Sequence, residues 1–272
     1  MASITKYRNK WLKYHKSYEK RAFNELYKTF RKWNDQIINT EFTEDNIKSQ
    51  LSLITKFEDM FSTYYSIYYS VGMTHGQRVG NDINLELKAF TMAEFMLLFE
   101  RNLPVFLRNY GISRIQLVHS SYLEDIFKLF DDRLRAGKTL QETTDEVFNL
   151  MRSPRFYRWQ AERIARTETT AAANYSAIQS GEVSGFIMQK QWVSALDART
   201  RRQPESHFNH YNMNGVRVGL KDDFTFNPKS LYADALGYPG DPKGQAGNVI
   251  NCRCTVAVVP ARDKNGRLIR TN

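Results

Sequence analysis

The hydrophobic period of this chain changes near Gly181, and that change sets what the chain can fold into. Before it, apolar residues recur at helical spacing in segment after segment. After it come short stretches of β-branched and aromatic residues separated by turn residues. A run of helices followed by a run of strands reads as an α+β fold. The expected organisation is a mostly α-helical N-terminal region over 1–152, then a smaller mixed α/β C-terminal domain over 153–272. The second domain opens with a helix from Ser153-Pro154 to about Ser180, with proline at a helix start where its missing N–H costs nothing.

The first helix spans about 4–39. Tyr7, Trp11, Tyr14, Tyr18, Phe23, Leu26, Tyr27, Phe30, Trp33 and Ile37 recur close to helical spacing. Between them lie Lys6, Arg8, Lys10, Lys13, Lys16, Lys20 and Arg21, followed by Lys28, Arg31 and Lys32. Residues 1–40 carry ten Lys/Arg against three Asp/Glu, a large share of a net charge of +10. Two readings follow. In one, the aromatic stripe lies in a groove and the basic face is simply solvated. In the other, the cations from Lys6 to Arg21 neutralise phosphates of double-stranded DNA, whose stacked bases leave the aromatics no role.

Thr43 is expected to cap a helix over about 44–71. Tyr64, Tyr65, Tyr68 and Tyr69 lead into Gly72, Gly76 and Gly80, which fall on one helical face and predict close approach of another element. His75 among them reads as a packed or surface histidine rather than a ligand. Further helices are expected at about 84–101, at 104–110 after Pro104, at 113–136, and at 139–151, where Thr139 and Glu142 form a capping box. No apolar run is long enough to span a bilayer, and none of signal-peptide type follows Met1.

Beyond Gly181, strands are expected at Phe186–Val193, Val216–Val218 and Phe224–Phe226, and a buried one along Ile250–Val259 after a turn at Gly247-Asn248. Residues 263–272 read as a frayed tail. Cys252 and Cys254 are the chain's two cysteines. On a strand, positions two apart share a face, so both thiols point the same way, and their separation disfavours a disulfide between them.

The C-terminal third resembles the Mu F-like family of phage head morphogenesis proteins, also called minor head proteins. The residues that carry it come in order: Ala165-Arg166-Thr167-Glu168 with the small run Thr169 to Asn174, then Trp192, then Asp197-Ala198-Arg199-Thr200-Arg201. A histidine and Met213-Asn214-Gly215 follow, then Pro239-Gly240-Asp241-Pro242, and Ile250-Asn251-Cys252-Arg253-Cys254 closes the set. The resemblance covers roughly 160–258. His210 keeps the family's spacing to Gly215, with a short insertion upstream, and His207 is the alternative. The resemblance implies a virion protein inside the phage head, bound to the portal and other head proteins, acting in head assembly and in DNA packaging or delivery. It also implies a stay in the host cytoplasm during assembly.

Three chemistries remain to weigh. His210 with Cys252 and Cys254, completed by His207 or by Asp197, is a zinc-friendly set, against packing of the two thiols as small apolar residues. Asp197, Arg199 and Arg201 are suited to an ion-pair network that pins a long loop. A hydrolase or transferase using His210 with Cys252 or Cys254 is the enzymatic alternative. The chain carries no P-loop and no strand–GxGxxG–helix unit, so no nucleotide motor is expected. The reading is a non-enzymatic structural and binding protein without a required cofactor.

Overall fold

A computed structural model describes residues 3–271. The helical stretch holds α1 (Ile4–Ile38), α2 (Ile47–Ile54), α3 (Phe57–Leu87), α4 (Met92–Phe106), α5 (Ile112–Arg135), α6 (Leu140–Arg152) and α7 (Arg158–Glu182). Then follow β1 (Met188–Val193), β2 (Arg217–Gly219), β3 (Phe224–Phe226), β4 (Asp234–Leu236), the single turn α8 (Ala246–Val249) and β5 (Thr255–Pro260). The α+β class is therefore as expected. One antiparallel sheet has the order β2-β1-β5, and β3-β4 is a separate hairpin.

The aromatic stripe of α1 is its buried face: Trp11, Tyr18, Phe30 and Trp33 are all enclosed, as helical spacing predicts. They pack against α3, which buries Tyr64, Ile67, Tyr68 and Val71. Between α1 and α3 runs α7, whose middle, from Thr167 to Ala177, is buried without interruption. Helix α7 can be buried all round because its residues are small. Alanine, serine and threonine let neighbouring backbones approach where leucine would hold them apart.

The glycines of α3 meet side chains. A Cβ at Gly72 would overlap the Phe99 ring and one at Gly76 the Phe95 ring, so α4 seats its aromatics directly on the α3 backbone. On the same turn, Ser180 of α7 donates to the Gly76 carbonyl at 2.8 Å.

Several boundaries differ from the expectation. Thr43 caps nothing; its own N–H donates to Asn46 Oδ1, and the expected single helix is broken at Thr55-Lys56 into α2 and α3. Helix α3 runs on through its glycines to Leu87, because ring packing compensates for their low helix propensity. Pro104 lies inside α4 and starts no new helix. A wider π-helical turn over Leu107–Gly111 follows and leads straight into α5. Thr91 and Glu94 form a second capping box, at the head of α4.

The sheet is covered on both sides. Trp192 and Val256 face the main core with α7, and Val193, Ala257 and Val259 are covered by Ile4 and Tyr7 from the first turn of α1. The tail is not frayed. The Ile187 N–H donates to the Ile269 carbonyl at 2.8 Å, the Thr271 N–H to the Gly185 carbonyl at 3.1 Å, and Arg270 lies over the Phe186 ring.

Candidate functional site

The segment entering β5 is irregular, and its backbone needs partners that a sheet would otherwise supply. Asn251 takes a left-handed φ of 60°, and β5 proper begins only at Thr255, so both cysteines precede the strand. Side chains of α7 and α1 supply the missing partners. Thr170 donates to the Cys252 carbonyl at 2.6 Å, Trp11 Nε1 to the Arg253 carbonyl at 2.8 Å, and Tyr7 to the Val256 carbonyl at 2.9 Å. Asn174 does most. Its amide donates to the carbonyls of Pro239 at 3.0 Å and Cys254 at 3.2 Å, and its oxygen accepts from Thr255 Oγ1 at 2.8 Å and the Val256 N–H at 3.0 Å. Thr170 has one proton and gives it away, so its oxygen accepts from His15 Nε2, 2.9 Å distant. Burial, with Arg253 and Arg166 nearby, lowers the His15 pKa to about 3.

The motif residues converge on this crossing. Arg166 pairs with Glu19 at 2.8 Å and donates to Asn251 Oδ1 at 3.1 Å. The Asn251 N–H donates to Thr167 Oγ1 at 3.0 Å. Glu168 is buried, accepts from Tyr68 at 2.8 Å and pairs with Arg114 at 3.4 Å. Gly240, with φ 82°, brings its backbone against Ala171; a Cβ there would stand 3.0 Å from the Ala171 nitrogen. The Asp241 carboxylate accepts from the N–H groups of Gly237 at 2.7 Å and Lys243 at 3.1 Å, closing that turn. Burial raises the Asp241 pKa against those two donors. Gly215, with φ 91°, turns the preceding loop back so that its N–H reaches the Trp192 carbonyl at 2.8 Å.

The arginine network is arranged differently from the expectation. Asp197 pairs with Arg253, at 2.6 Å, rather than with the two arginines that follow it. Arg199 is exposed, and Arg201 instead donates to the Ile250 carbonyl. The segment entering β5 supplies the nearer guanidinium.

Beside this crossing lies a buried cluster. His210, Cys252 and Cys254 are 1%, 2% and 2% exposed, and Nδ1 and the two sulfurs lie within 4.8 Å of one another. Cys252 Sγ is 3.5 Å and Cys254 Sγ 3.6 Å from His210 Nδ1. The other ring nitrogen, Nε2, is 2.6 Å from Asn248 Oδ1, and Asn248 Nδ2 donates to Asp234 at 2.8 Å. The chain Asp234–Asn248–His210 fixes a proton on Nε2 and turns the Nδ1 lone pair to the sulfurs. A hydrogen bond from Cys254, aided by His210, holds the Cys252 thiol well below its ordinary pKa despite burial. Cys254, the donor, is held well above it. Trp192 stands edge-on to the His210 ring, at 5.2 Å between centroids. His207 stacks on Tyr232 outside the cluster, so His210 is the histidine that meets the cysteines.

The cations of α1 divide into two groups. Arg8 turns inward, donating to the Ser194 carbonyl at 2.8 Å and to Asn214 at 3.2 Å, and Lys10 pairs with Asp82 at 3.1 Å. Lys6, Lys13, Lys16, Lys20 and Arg21 are exposed and make no ion pair among the described residues. At 3.6 residues per turn, the four lysines fall within about 80° of one another, opposite the buried stripe, along about 21 Å of helix.

The Phage Mu protein F like protein family matches residues 124–257. Over that span the chain is similar to this family. Searches of curated proteins and of solved structures find no match. The Mu F-like family is one of phage head morphogenesis, which gives the chain a virion location and other head proteins as partners. Among the described residues no helix is long and apolar enough to cross a membrane. The Mu F-like span begins within α5, well before Arg166, and includes α6.

Thr170, Asn174, Asn248, Asp234 and Arg114 escaped the sequence reading as individual partners. The small run Thr169 to Asn174 entered only as part of the family motif. Nothing local marks Arg114, whose partner Glu168 lies 54 residues on.

Proposed function

We propose that this chain is a minor head protein that lies inside the phage head and binds packaged double-stranded DNA through the solvent face of α1. The observation that carries the reading is the unpaired stripe Lys6, Lys13, Lys16 and Lys20, flanked by Arg21, whose guanidinium lies over the Tyr18 ring at 5.4 Å. A straight row of ammonium groups tracks phosphates and carries no sequence information. The helical region over 1–152 docks on the portal, and assembly in the host cytoplasm precedes packaging and ejection of the DNA; the Mu F-like kinship supports this part.

A duplex-binding titration at several salt concentrations tests the DNA contact. Binding should be blind to sequence. Replacing the four lysines with alanine should reduce the log–log salt slope by about 3–4, at about 0.9 per phosphate neutralised. Absence of duplex binding at low salt would sink the DNA part, and failure to co-purify with the portal from assembling heads would sink the docking part.

The reading is structural rather than enzymatic. Both thiols of the Cys/His cluster are enclosed, and His210 Nε2 is occupied by Asn248, which leaves a substrate no approach. Rapid alkylation of one cysteine in the native protein would favour the hydrolase or transferase instead.

A further inference from the structure

We propose that His210, Cys252 and Cys254 bind one zinc ion, a structural centre that joins the loop after β1 to the segment entering β5. The donor set is one imidazole nitrogen and two sulfurs, with no oxygen among them, which suits zinc and not calcium or magnesium. The distances agree. Zinc–nitrogen and zinc–sulfur bonds of about 2.0–2.1 Å and 2.3 Å at a tetrahedral angle put nitrogen and sulfur about 3.5–3.6 Å apart. Those are the separations from His210 Nδ1 to the two sulfurs, 3.5 and 3.6 Å.

The surroundings argue the same way. Neutral Nδ1 has one lone pair, which accepts one S–H, yet two sulfurs stand at nearly equal distance from it. A metal uses that lone pair once and takes both sulfurs as well. The second ring nitrogen is held through Asn248 to Asp234, the outer-shell arrangement that orients a ligating histidine. Trp192 closes the cluster from one side, its ring edge-on to His210 at 5.2 Å between centroids. Two thiolates and a neutral imidazole also balance the charge of Zn²⁺, so the occupied centre is neutral where it is enclosed.

Asp197 and His207 are committed elsewhere, to Arg253 and Tyr232, so three protein ligands leave the fourth corner to water. A cavity of about 350 Å³ is lined by Val249 and Ile250 among others but by neither cysteine. All three ligands are buried where the loop after β1 meets the segment entering β5, which gives the centre a structural role.

The test uses the untagged full-length chain, purified without chelator. Native mass spectrometry should find one zinc per chain. Exchange into cobalt(II) should give the ligand-field bands of a tetrahedral site together with thiolate-to-cobalt charge transfer. His210→Gln, Cys252→Ser and Cys254→Ser should each abolish both signals, while His207→Gln should leave them intact. Asn248→Ala should keep the metal but weaken its binding about 10–100-fold. Where a ligand variant fails to fold, the cobalt spectrum of the unaltered chain decides. Its lack of thiolate charge transfer would overturn the proposal, as would a zinc-free chain, or zinc that survives the double serine variant.

Discussion

The helical body and the segment from Ser194 to Asn251 are held by different forces. In the helices the backbone satisfies its own hydrogen bonds, and stability comes from ring packing: Phe95 and Phe99 on the α3 glycines, Phe30 between Trp33 and Tyr122. The later segment has only three-residue strands and little apolar material of its own. Carbonyls within it and just beyond it are met by Thr170, Asn174 and Trp11 of the helical body and by its own Arg201. The first region tolerates volume-conserving change; the second depends on a few polar atoms being where they are. Helix α7 serves both, presenting small residues to the helices and the hydrogen-bonding side chains of Arg166, Thr167, Thr170 and Asn174 to the loops.

The largest expected effect comes from that second dependence. Asn174→Ala leaves several enclosed polar groups without partners and should cost about 3–5 kcal/mol. In hydrogen exchange the amides of β5 should lose protection while those of α3 keep theirs. If α3 opens together with β5, the contrast between the two regions fails.

Acid should attack the joint from the helical side. Burial, with Arg78 and Lys10 nearby, lowers the His75 pKa to about 3, matching His15. The unfolded chain takes up a proton at each near the ordinary histidine value of 6.5, whereas the native chain does not until about 3. Stability is thus complete above that upper value and falls below it, by about 1.4 kcal/mol per pH unit for each histidine. Urea midpoints between neutrality and about pH 4.5, above most carboxylate titration, should show that slope. His75→Leu should halve it; an unchanged slope would show that these histidines are not the acid-sensitive groups.

A smaller loss, about 1–3 kcal/mol, is expected for Gly76→Ala, which drives a methyl group into the Phe95 ring. A thermal melt that does not move would mean that α4 is loosely seated. Smallest of all, alanine at Lys6, Lys13, Lys16 and Lys20 should change stability by no more than about 0.5 kcal/mol at each position, since these side chains touch nothing that folds the protein. A large destabilisation would give the stripe a structural role in place of its DNA role.

The chain's own sequence made the helical body legible because each helix declares itself over consecutive residues. The buried face of α1 and the Thr139–Glu142 cap could both be read directly, and the Thr91–Glu94 cap carried the same signature unread. The break at Thr55-Lys56 and the passage through Pro104 were not legible, because tertiary contacts decide whether a helix yields there. The convergence of the two thiols could be read from their spacing, although the backbone beneath them is not a strand. Long-range pairs had no local signal. Asp197 chose Arg253 over Arg199 and Arg201, a preference that exists only once β5 has docked.

One contact has a consequence for the order of events during synthesis. Trp11 leaves the ribosome 242 residues ahead of Arg253, whose carbonyl receives its indole proton. At translation rates of about 5–20 residues per second, the wait is roughly 12–50 s. Through that interval the nascent α1 holds an aromatic face whose final cover does not yet exist. A helix with lysines along its opposite side stays dispersed while it waits.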